Sequence, residues 1–497
     1  MTRPNILFIM SDDHAAHALG CYGSRINRTP QIDRIATGGM RFDNCFCTNS
    51  ICTPSRATIL TGTYSHVNGV TTLDTPMDNR LQTFPKLLRQ DGYQTAIVGK
   101  WHLGQGPEHW PTGFDYWNIL PGQGRYHDPV MIEQGREQVV SGYATDRITD
   151  FSLQWLQDRD PDRPFLLMCH HKAPHRPWEP SEAHAQLYRD EEIPYPATFD
   201  DDYRGRAGAA VAAMMRVERD FIAEDVKVVP PDPTAPSARL IPPQGGRLSL
   251  TPIAGGPIEF DSPAERKRWL YQRYIKDYLR CVASLDDGVG RLLDFLEEEG
   301  IVEETVVVYT SDQGFFLGDH GWYDKRFMYE ESLRMPFVIR YPREIEPGSV
   351  HEGMILNVDF PETFLDLAGV EVPTDMQGRS FRPLLQGERP ADWREALYYR
   401  YWMHGAHHNV WAHYGLRTHR HKLIYYYADP LGTAGSVGEP EEPEWELFDL
   451  SADPGELRNL YHDPAYSALA ADLTAELHRL QQEVGDVPYT GGEASHP

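Results

Sequence analysis

The sequence predicts a large α/β domain with a mixed, mostly parallel sheet between helices, followed by a smaller α+β domain with an antiparallel sheet. Three observations support this prediction: short apolar runs with the length of buried strands, helical patterns between them, and a change of pattern near residue 386. Strands that are buried on both faces contain continuous aliphatic runs, because neither face meets water. With 497 residues, the chain is long enough for two such units.

Four apolar runs match a buried strand in length and in aliphatic content. Helical patterns at 83–89, 146–157 and 269–299 separate them. Strands and helices therefore alternate along the chain, and this order favours parallel strands with right-handed crossovers. The predicted strands are 5–10, 95–98, 164–168 and 305–309.

A polar cluster directly follows each of these predicted strands. Ligands bind beyond the carboxyl ends of the strands in open α/β sheets, so four such clusters predict one active site along that edge. The clusters read Ser-Asp-Asp-His from residue 11, Gly-Lys-Trp-His from residue 99, Cys-His-His-Lys-Ala-Pro-His from residue 169 and Thr-Ser-Asp-Gln-Gly from residue 310.

The rest of the pattern divides the chain near residue 386. The first domain, 1–386, contains a segment at about 228–263 that is rich in proline and glycine and predicts a surface loop or insertion. The second domain, 387–489, combines short β patterns with an amphipathic helix, and 490–497 is predicted to be a disordered tail. The second domain's strands are predicted at 397–402, 414–417, 422–427 and 444–450, and its helix at 466–484.

Composition argues against several classes of protein. The formal net charge of −26 argues against a nucleic-acid binder, and an anionic substrate would need a local cationic pocket. No apolar run is long enough to span a membrane, and the first ten residues lack the apolar core of a signal peptide. We therefore expect a cytoplasmic protein without a membrane partner. The six cysteines show no paired zinc spacing, and the oligomeric state stays open.

The strongest local signal is the segment Cys-Thr-Pro-Ser-Arg-Ala-Thr-Ile-Leu-Thr-Gly, which begins at Cys52. Pro54 and Gly62 predict where a helix begins and ends. Cys52 would then lie at the positive end of the helix, where anions bind, and Arg56 would lie one turn further on. A lone cysteine in such a place is more often a buried packing residue, so the position alone does not establish chemistry.

Two further groups of residues point to chemistry at the strand ends. Carboxylate and amide oxygens at two strand ends suit Ca²⁺ or Mg²⁺ better than zinc, although solvated acids are the commoner explanation of a single Asp-Asp pair. Basic residues at the other ends would supply the cationic pocket, although each alone is more often a surface or capping residue. The oxygen set is Asp12, Asp13, Asp312 and Gln313, and the basic set is Arg56, Lys100, His102, Lys172, His175 and Lys325.

The segment that begins at Cys52 resembles the sulfatase motif Cys-x-Pro-Ser-Arg-x-x-x-Leu-Thr-Gly at every fixed position. The segments 99–104, 172–175 and 318–325 resemble further sulfatase motifs in the family's order. The resemblance implies an alkaline-phosphatase-like fold and a sulfatase whose Cys52 is converted to formylglycine by a maturing enzyme. The segments 310–342 and 444–456 are similar to bacterial carbohydrate sulfatases, which implies a sulfated sugar or glycan as substrate and activity on aryl sulfates.

The resemblance also implies a chemical role for each predicted site residue. The hydrated aldehyde at position 52 would attack sulfur with one hydroxyl and expel sulfate with the other. The oxygen set and residue 52 would hold Ca²⁺, or alternatively Mg²⁺; the family more often has asparagine in place of Gln313. Further roles are implied as follows: Arg56, Lys100 and Lys325 hold sulfate oxygens, His102 orients or deprotonates the hydrate, His175 protonates the leaving oxygen with help from Lys325, and Lys172 binds substrate or neutralises an acid.

One histidine and two rival hypotheses complete the expectations. The histidine-rich stretch 403–413 fits no zinc spacing, and we expect a loop over the pocket in which His408 contacts the substrate; a loop without any role is the equal alternative. The first rival function is hydrolysis of phosphonate monoesters or phosphodiesters by the same superfamily. The second is a non-catalytic protein that binds sulfated glycans and keeps Cys52 as a thiol.

Overall fold

A computed structural model describes residues 3–242 and 248–491 of the chain. Ten strands form its central sheet, in the order β10-β2-β9-β8-β1-β7-β3-β4-β5-β6. These strands are β1 Asn5–Ser11, β2 Met40–Phe42, β3 Gln94–Lys100, β4 Tyr116–Leu120, β5 Val130–Glu133, β6 Arg136–Val139, β7 Phe165–His170, β8 Thr305–Ser311, β9 Phe337–Arg340 and β10 Ser349–His351.

The five strands at the centre of this sheet, β8-β1-β7-β3-β4, run parallel to one another. Antiparallel strands extend the sheet on both sides: β9 pairs with β8, and β5 and β6 form a hairpin beyond β4. The predicted fold class is confirmed, and the four predicted strands are all central ones. Of the predicted tail, residues 490 and 491 are described and 492–497 lie outside the described residues. Of the predicted insertion, 243–247 lie outside the described residues.

Helices cover both faces of the sheet, because its central strands are apolar on both. Ile6, Phe8 and Met10 of β1 pack on one side with α2, α3 and α6, and Leu7 and Ile9 pack on the other side with α1, α4 and α5. These helices are α1 Pro30–Thr37, α2 Cys52–Thr61, α3 Phe84–Gln90, α4 Ala144–Asp158, α5 Pro263–Glu298 and α6 Phe360–Ala368.

The longest helix, α5, has a sequence-encoded start. Pro263 occupies its first turn, and the Ser262 hydroxyl accepts a hydrogen bond from the Glu265 amide at 3.1 Å, while the Glu265 carboxylate accepts one from the Asp261 amide at 2.7 Å. The segment before α5 contains a small ribbon of strands Leu248–Leu250 and Ile258–Phe260. Within the described parts of the chain, no helix has the length and apolarity that crossing a bilayer requires.

The C-terminal part forms a four-stranded antiparallel sheet, in the order β11-β12-β13-β14, with helix α7 packed on it. The elements are β11 Ala396–Tyr401, β12 His413–Thr418, β13 His421–Tyr426, β14 Glu444–Asp449 and α7 Ser467–Val484. They agree closely with the predicted strands and helix.

A buried ion-pair network connects this sheet to the large domain. Lys422 of β13, whose side chain is 0% exposed, lies 3.0 Å from Glu330 and 2.6 Å from Glu456. Glu456 also accepts a hydrogen bond from the Glu330 amide at 2.7 Å, and Arg417 of β12 binds the Glu330 carboxylate. Glu330 lies five residues after Lys325. The network therefore anchors the chain segment that carries Lys325 to the C-terminal sheet.

We expect Lys422→Met to destabilise the protein by about 3–5 kcal/mol, because it leaves the buried Glu456 carboxylate without the cation it pairs with, whereas Glu330 keeps Arg417. Urea unfolding followed by circular dichroism measures the change. Arg479→Ala on α7 is the control, since Arg479 is 57% exposed, its partners Glu476 and Glu483 are 35% and 61% exposed, and its loss should change stability little. If the two variants had equal free energies of unfolding, the ion pairs of Lys422 would contribute nothing to stability.

Candidate active site

Cys52 lies at the first position of α2, beneath the carboxyl edge of the central sheet. The preceding Ile51 is extended, and Gly62 ends the helix with a φ of 66°, a left-handed conformation that glycine adopts readily. The Cys52 thiol is 3.3 Å from Asp12 Oδ1 and is almost fully buried. Burial, with Asp12 beside it, raises the pKa of this thiol well above its usual range, so the unmodified side chain is protonated and poorly nucleophilic.

Two strand ends bring acidic residues together next to Cys52. β1 and β8 are parallel neighbours with Ser11 opposite Ser311, so the residues that follow them meet at the same edge. Carboxylate oxygens of Asp12, Asp13 and Asp312 lie within 4.8 Å of one another, and all three residues are buried. We call these three residues the acidic cluster.

The three carboxyl groups of the acidic cluster differ in acidity. Burial raises the pKa of Asp13 to about 7, and burial together with the nearby Asp12 raises the pKa of Asp312 to about 6. Burial acts on Asp12 in the same direction, but the Lys100 ammonium, which donates a hydrogen bond to its Oδ2, holds the pKa of Asp12 well below its usual range. Crowded like charges of this kind favour a bound cation.

Gln313 completes a donor set that fits a hard divalent cation. Its Nε2 donates a hydrogen bond to Asp13 Oδ1 at 2.5 Å, while its Oε1 is buried and has no hydrogen-bond partner among the described residues. An unpaired buried amide oxygen beside three carboxylates needs a positive partner. Carboxylate and amide oxygens suit Ca²⁺ or Mg²⁺, so the residues predicted to hold the metal lie together and fit it.

Each carboxylate of the acidic cluster has one cationic partner. Lys325 Nζ donates to both oxygens of Asp13, at 2.6 and 2.7 Å. Arg56 Nε donates to Asp312 Oδ2 at 2.9 Å, and its Nη1 donates to a backbone carbonyl at 2.9 Å. With the Lys100 pair, three buried cations balance three buried carboxylates. These are basic residues from which a cationic pocket was expected, but without a bound ion the carboxylates balance them.

Two of the predicted histidines face this region as neutral imidazoles. His175 Nδ1 lies 2.6 Å from the Arg176 carbonyl oxygen, which places the proton on Nδ1 and leaves Nε2 directed at Asp13 Oδ2, 3.8 Å away. His102 Nδ1 lies 3.4 Å from the Thr53 hydroxyl, in the first turn of α2. Burial lowers the pKa of both histidines well below the usual range, and Lys100 reinforces the effect at His102.

Lys172 lies further from the acidic cluster than the other predicted lysines. Its Nζ donates a hydrogen bond to the Arg176 carbonyl at 3.1 Å and lies 4.6 Å from the centre of the Tyr126 ring. Burial and the neighbouring Lys100 lower the pKa of Lys172 to about 8. Lys172 and His175 therefore lie side by side, because both side chains contact the Arg176 carbonyl oxygen.

A cavity of about 550 Å³ opens onto Cys52, His175 and Lys325. His408 lines it, as the sequence led us to expect; its Nε2 lies 3.2 Å from Asp324 Oδ2 and its Nδ1 lies 3.0 Å from the Met214 carbonyl. A second cavity, of about 520 Å³, has His17 and Arg417 in its wall and none of the residues predicted to react.

The cavity that opens onto Cys52 also contains polar residues that the sequence analysis did not single out. Asp324 and Arg326 flank Lys325, so their position in that motif was a signal that could have found them. Arg176 follows His175 directly, but its role as a wall residue depends on its pairing with Asp225. Gln123, which accepts a hydrogen bond from Lys100 at 2.5 Å, lies in a loop after β4 that carries no motif.

Family models and known proteins share long matches with this chain. A model described as "Sulfatase" matches residues 4–370, and one described as "N-sulphoglucosamine sulphohydrolase, C-terminal" matches residues 318–483. An N-acetylglucosamine-6-O-sulfatase of Bacteroides thetaiotaomicron is 44% identical, over 97% of this chain and 87% of its own length. A human N-acetylglucosamine-6-sulfatase is 27% identical, over 80% of this chain and 67% of its own length.

Solved structures match along the whole chain as well. One, determined in complex with its substrate D-glucosamine-2-N,6-O-disulfate, has a TM-score of 0.87 and 43% identity, over 97% of this chain and 98% of that chain. The phosphonate monoester hydrolase of Agrobacterium radiobacter has a TM-score of 0.72 and 19% identity, over 97% of this chain and 96% of that chain. At that identity the likeness shows the fold alone.

We expect chelator-treated protein to bind one divalent cation, and Gln313→Met to weaken this binding at least about tenfold, the size of effect typical of a lost metal-supporting group. The change removes the unpaired amide oxygen without leaving a cation unpaired. Calorimetric titration with CaCl₂ and with MgCl₂ measures the affinities. Asp324→Asn, in the same cavity but outside the acidic cluster, should bind the ion like the wild type. Wild-type affinity in Gln313→Met would exclude this oxygen as a ligand.

Proposed function

This chain belongs to the sulfatase family, and we propose that it hydrolyses the 6-O-sulfate ester of a glucosamine derivative, using a bound Ca²⁺ and a nucleophile made from Cys52. The reaction adds water across the ester: the sugar keeps its oxygen and gains a proton, and sulfate leaves with the oxygen of water. The observation that carries the proposal is that Cys52 and Lys325 line one cavity and that both contact the acidic cluster, Cys52 through Asp12 and Lys325 through Asp13.

The identity of the sugar rests on the relatives and on the walls of the cavity. The Bacteroides protein that is 44% identical is named for 6-O-sulfated N-acetylglucosamine, and a match over 97% of this chain supports a related substrate. Asp324, Arg326 and His408 line the cavity outside the acidic cluster. Carboxylate, guanidinium and imidazole groups are suited to the hydroxyl groups of a sugar, and aryl sulfates are expected to react without using these contacts.

The nucleophile requires a change to Cys52 itself. The buried thiol is held protonated, so the proposal includes a two-electron oxidation by a maturing enzyme, which supplies the oxidant. The carbon–sulfur bond breaks, sulfur leaves as sulfide, and the aldehyde that forms has oxygen in place of sulfur and two fewer hydrogens. Formylglycine supplies, as its hydrate, one hydroxyl to attack sulfur and a second to expel sulfate. His102 is neutral and lies next to Thr53 in the first turn of α2, where it can orient or deprotonate the modified residue.

Charge balance explains how an acidic protein attracts an anionic ester. Asp12, Asp13, Asp312 and Gln313 would hold Ca²⁺, which would lower the pKa of a hydroxyl beside it and offset charge on the sulfuryl group. Because the acidic cluster is already balanced by three cations, a divalent ion makes the region net positive. Arg56, Lys100 and Lys325 can then donate to sulfate oxygens and orient the ester.

His175 is the group we assign to protonation of the leaving oxygen. Its Nδ1 proton is fixed by the Arg176 carbonyl, so Nε2 is the nitrogen that can take up and release a proton, and His175 lines the cavity beside Cys52. Burial lowers its pKa in the absence of substrate, but a bound anion favours the protonated imidazole and raises the pKa again. Lys325, next to it on Asp13, can assist.

The two rival functions are less well supported. The phosphonate monoester hydrolase is 19% identical, and a likeness at that level supports the fold alone, whereas the relative at 44% identity is named a sulfatase and the structure at 43% identity contains a sulfated sugar. Membership of an enzyme family argues against a non-catalytic glycan-binding protein. Comparing the release of sulfate from an aryl sulfate with the turnover of an aryl phosphonate separates the first rival from the proposal.

We expect Cys52→Ala to lower kcat for sulfate release by about 10⁴-fold or more, as removal of a nucleophile does in other hydrolases. Ion chromatography of sulfate released from N-acetylglucosamine-6-O-sulfate measures it, with circular dichroism as the control for folding. In the active wild type, mass spectrometry of the tryptic peptide 42–56 should show oxygen in place of sulfur and two fewer hydrogens. An active protein with an unmodified peptide would refute the mechanism.

We expect His175→Ala to lower kcat about 100-fold on sugar sulfates, the usual contribution of a general acid, and less than about tenfold on an activated aryl sulfate. The alkoxide of a sugar needs a proton to leave, whereas a nitrophenolate does not. Steady-state kinetics with both substrates gives the two ratios. Lys172→Ala is the comparison, since Lys172 shares the Arg176 carbonyl but lies away from the acidic cluster. Equal losses on both esters would remove His175 from this step.

A further inference from the structure

A further cavity, of about 650 Å³, is lined by basic side chains from three parts of the chain. Arg273, Lys276 and Arg280 follow one another at spacings of three and four residues, so they lie on one face of α5. Arg189 and Lys227 complete the set from two loops. We call these five residues the basic cluster, and the proposed reaction uses none of them.

The lining of this cavity is unbalanced in charge. Among the described residues that line it, none is acidic, although acidic residues outnumber basic ones 73 to 47 in the whole chain. The rest of the lining is uncharged and consists of Trp269, Gln272 and the loop segment 252–254. Positive charges gathered at one place in a chain with a net charge of −26 indicate a site for an anion.

One buried carboxylate lies beside three members of the basic cluster. Arg280 Nη1 lies 2.8 Å from Asp277 Oδ1. Lys227 Nζ and Arg273 Nη2 lie 3.4 and 4.0 Å from Asp277 Oδ2. A single carboxylate can neutralise only one of these three charges, so the other two remain available to a ligand.

The other two members of the basic cluster, Arg189 and Lys276, have no carboxylate within 4.0 Å in the part of the chain that the structure describes. Lys276 Nζ donates a hydrogen bond to the Arg189 carbonyl at 3.3 Å, and Arg189 Nη1 donates one to Gln186 Oε1 at 3.4 Å. The acidic run 190–192 follows Arg189, but it is exposed and lies outside the lining. These two cations are therefore the ones best placed to bind an anionic group.

One chain segment separates the basic cluster from the active-site cavity. Asp225 lines the cavity that opens onto Cys52, and Lys227 lines the basic one. Lys227 Nζ donates a hydrogen bond to the Asp225 carbonyl at 3.2 Å, and Arg273 Nε donates one to the Val226 carbonyl at 3.2 Å. The two cavities are thus neighbours, and a ligand that extends from the first across residues 225–227 meets the second.

We propose that the basic cluster binds sulfate groups of a glycan chain whose 6-O-sulfated glucosamine lies at Cys52, so that the enzyme binds a sulfated oligosaccharide more tightly than the single sugar. The inference rests on the proposed function, because it places that ester at residue 52. Guanidinium and ammonium groups suit sulfate oxygens, and the half-buried Trp269 ring offers an apolar face to a sugar. Two contacts made by one ligand reinforce each other, because the second forms at a high effective concentration.

Binding is tested with heparin octasaccharides, a sulfated glycan, on protein in which Cys52→Ala prevents turnover. We expect Arg189→Gln combined with Lys276→Gln to weaken this binding about tenfold, because two charge-assisted contacts are lost. The slope of log Kd against log salt concentration should also become shallower, since fewer counterions are exchanged. Calorimetric titration with heparin at several NaCl concentrations, in the presence of CaCl₂, gives both quantities.

Kinetics of the otherwise unchanged enzyme separates binding of the chain from the reaction. We expect Arg189→Gln combined with Lys276→Gln to raise KM for a 6-O-sulfated heparin octasaccharide about tenfold at an unchanged kcat. Both constants for N-acetylglucosamine-6-O-sulfate should stay as in the wild type, because a single sugar at Cys52 does not reach the basic cluster. A fall in kcat on the single sugar would count against a separate site.

Arg204→Gln combined with Arg458→Gln is the matched control. It removes two positive charges from side chains that are 88% and 72% exposed and that lie outside the basic cluster, and it should bind heparin like the wild type. Unchanged heparin binding in the Arg189 and Lys276 variant, or equal weakening in the control, would overturn the inference.

Single-stranded DNA of the same charge tests whether the basic cluster recognises a glycan. We expect it to bind more weakly than heparin, and equally tight binding would overturn the assignment to a sulfated glycan. The proposed function fails separately: if the wild type releases no sulfate from N-acetylglucosamine-6-O-sulfate, the ester is not cleaved at Cys52. The heparin titration would still show whether the basic cluster binds a sulfated chain.

Discussion

Mutual neutralisation of buried charges is the constraint on which the rest of this site depends. An isolated ion inside a protein costs several kcal/mol of solvation, so a buried carboxylate persists only beside a cation held in good geometry. Here the pairs Asp12–Lys100, Asp13–Lys325 and Asp312–Arg56 satisfy this condition. The six residues come from the ends of β1, β3 and β8, from α2 and from the segment that carries Lys325, and none of these can shift without leaving a buried charge unpaired. The central parallel strands and α2 are therefore fixed relative to one another by the charges as well as by the apolar layers.

The same balance separates the local field of the site from the charge of the whole protein. Surface charges act weakly beyond a Debye length of about 8–10 Å at physiological ionic strength, whereas buried charges are screened much less. A formal charge of −26 thus has little bearing on an ester that has reached the floor of the cavity. There the carboxylates are already compensated, and a divalent ion would turn a neutral region into one that attracts anions. The affinity for an anionic substrate then depends on the ion rather than on the overall composition.

The sequence predicted the reaction centre better than its surroundings, for a physical reason. The strands β1, β3, β7 and β8 are buried on both faces and are recognisable as apolar runs, and the polar residues after them must meet because parallel strands end at one edge. The edge hairpin of β5 and β6 was not predicted, since β6 is polar and largely exposed. Gln123 was not predicted either, because only tertiary contacts bring its loop to the cavity. His408 was expected from a histidine-rich stretch alone, and the packing of the C-terminal sheet places it there.

The residues that line the cavity can change more freely than those of the reaction centre around Cys52, and this affects which substrates can bind. The wall residues carry their own charge compensation: Arg176 with Asp225, and Arg326 with Asp324. The Arg176–Asp225 pair shares no hydrogen-bond partner with the acidic cluster, whereas Asp324 accepts a hydrogen bond from the amide of Lys325, the partner of Asp13. Exchanging Arg176 and Asp225 therefore leaves the neutrality of the reaction centre intact, whereas exchanging any member of the three central pairs does not. On this basis, related chains with the same fold can differ in the group they recognise around the ester while keeping the chemistry at residue 52 unchanged.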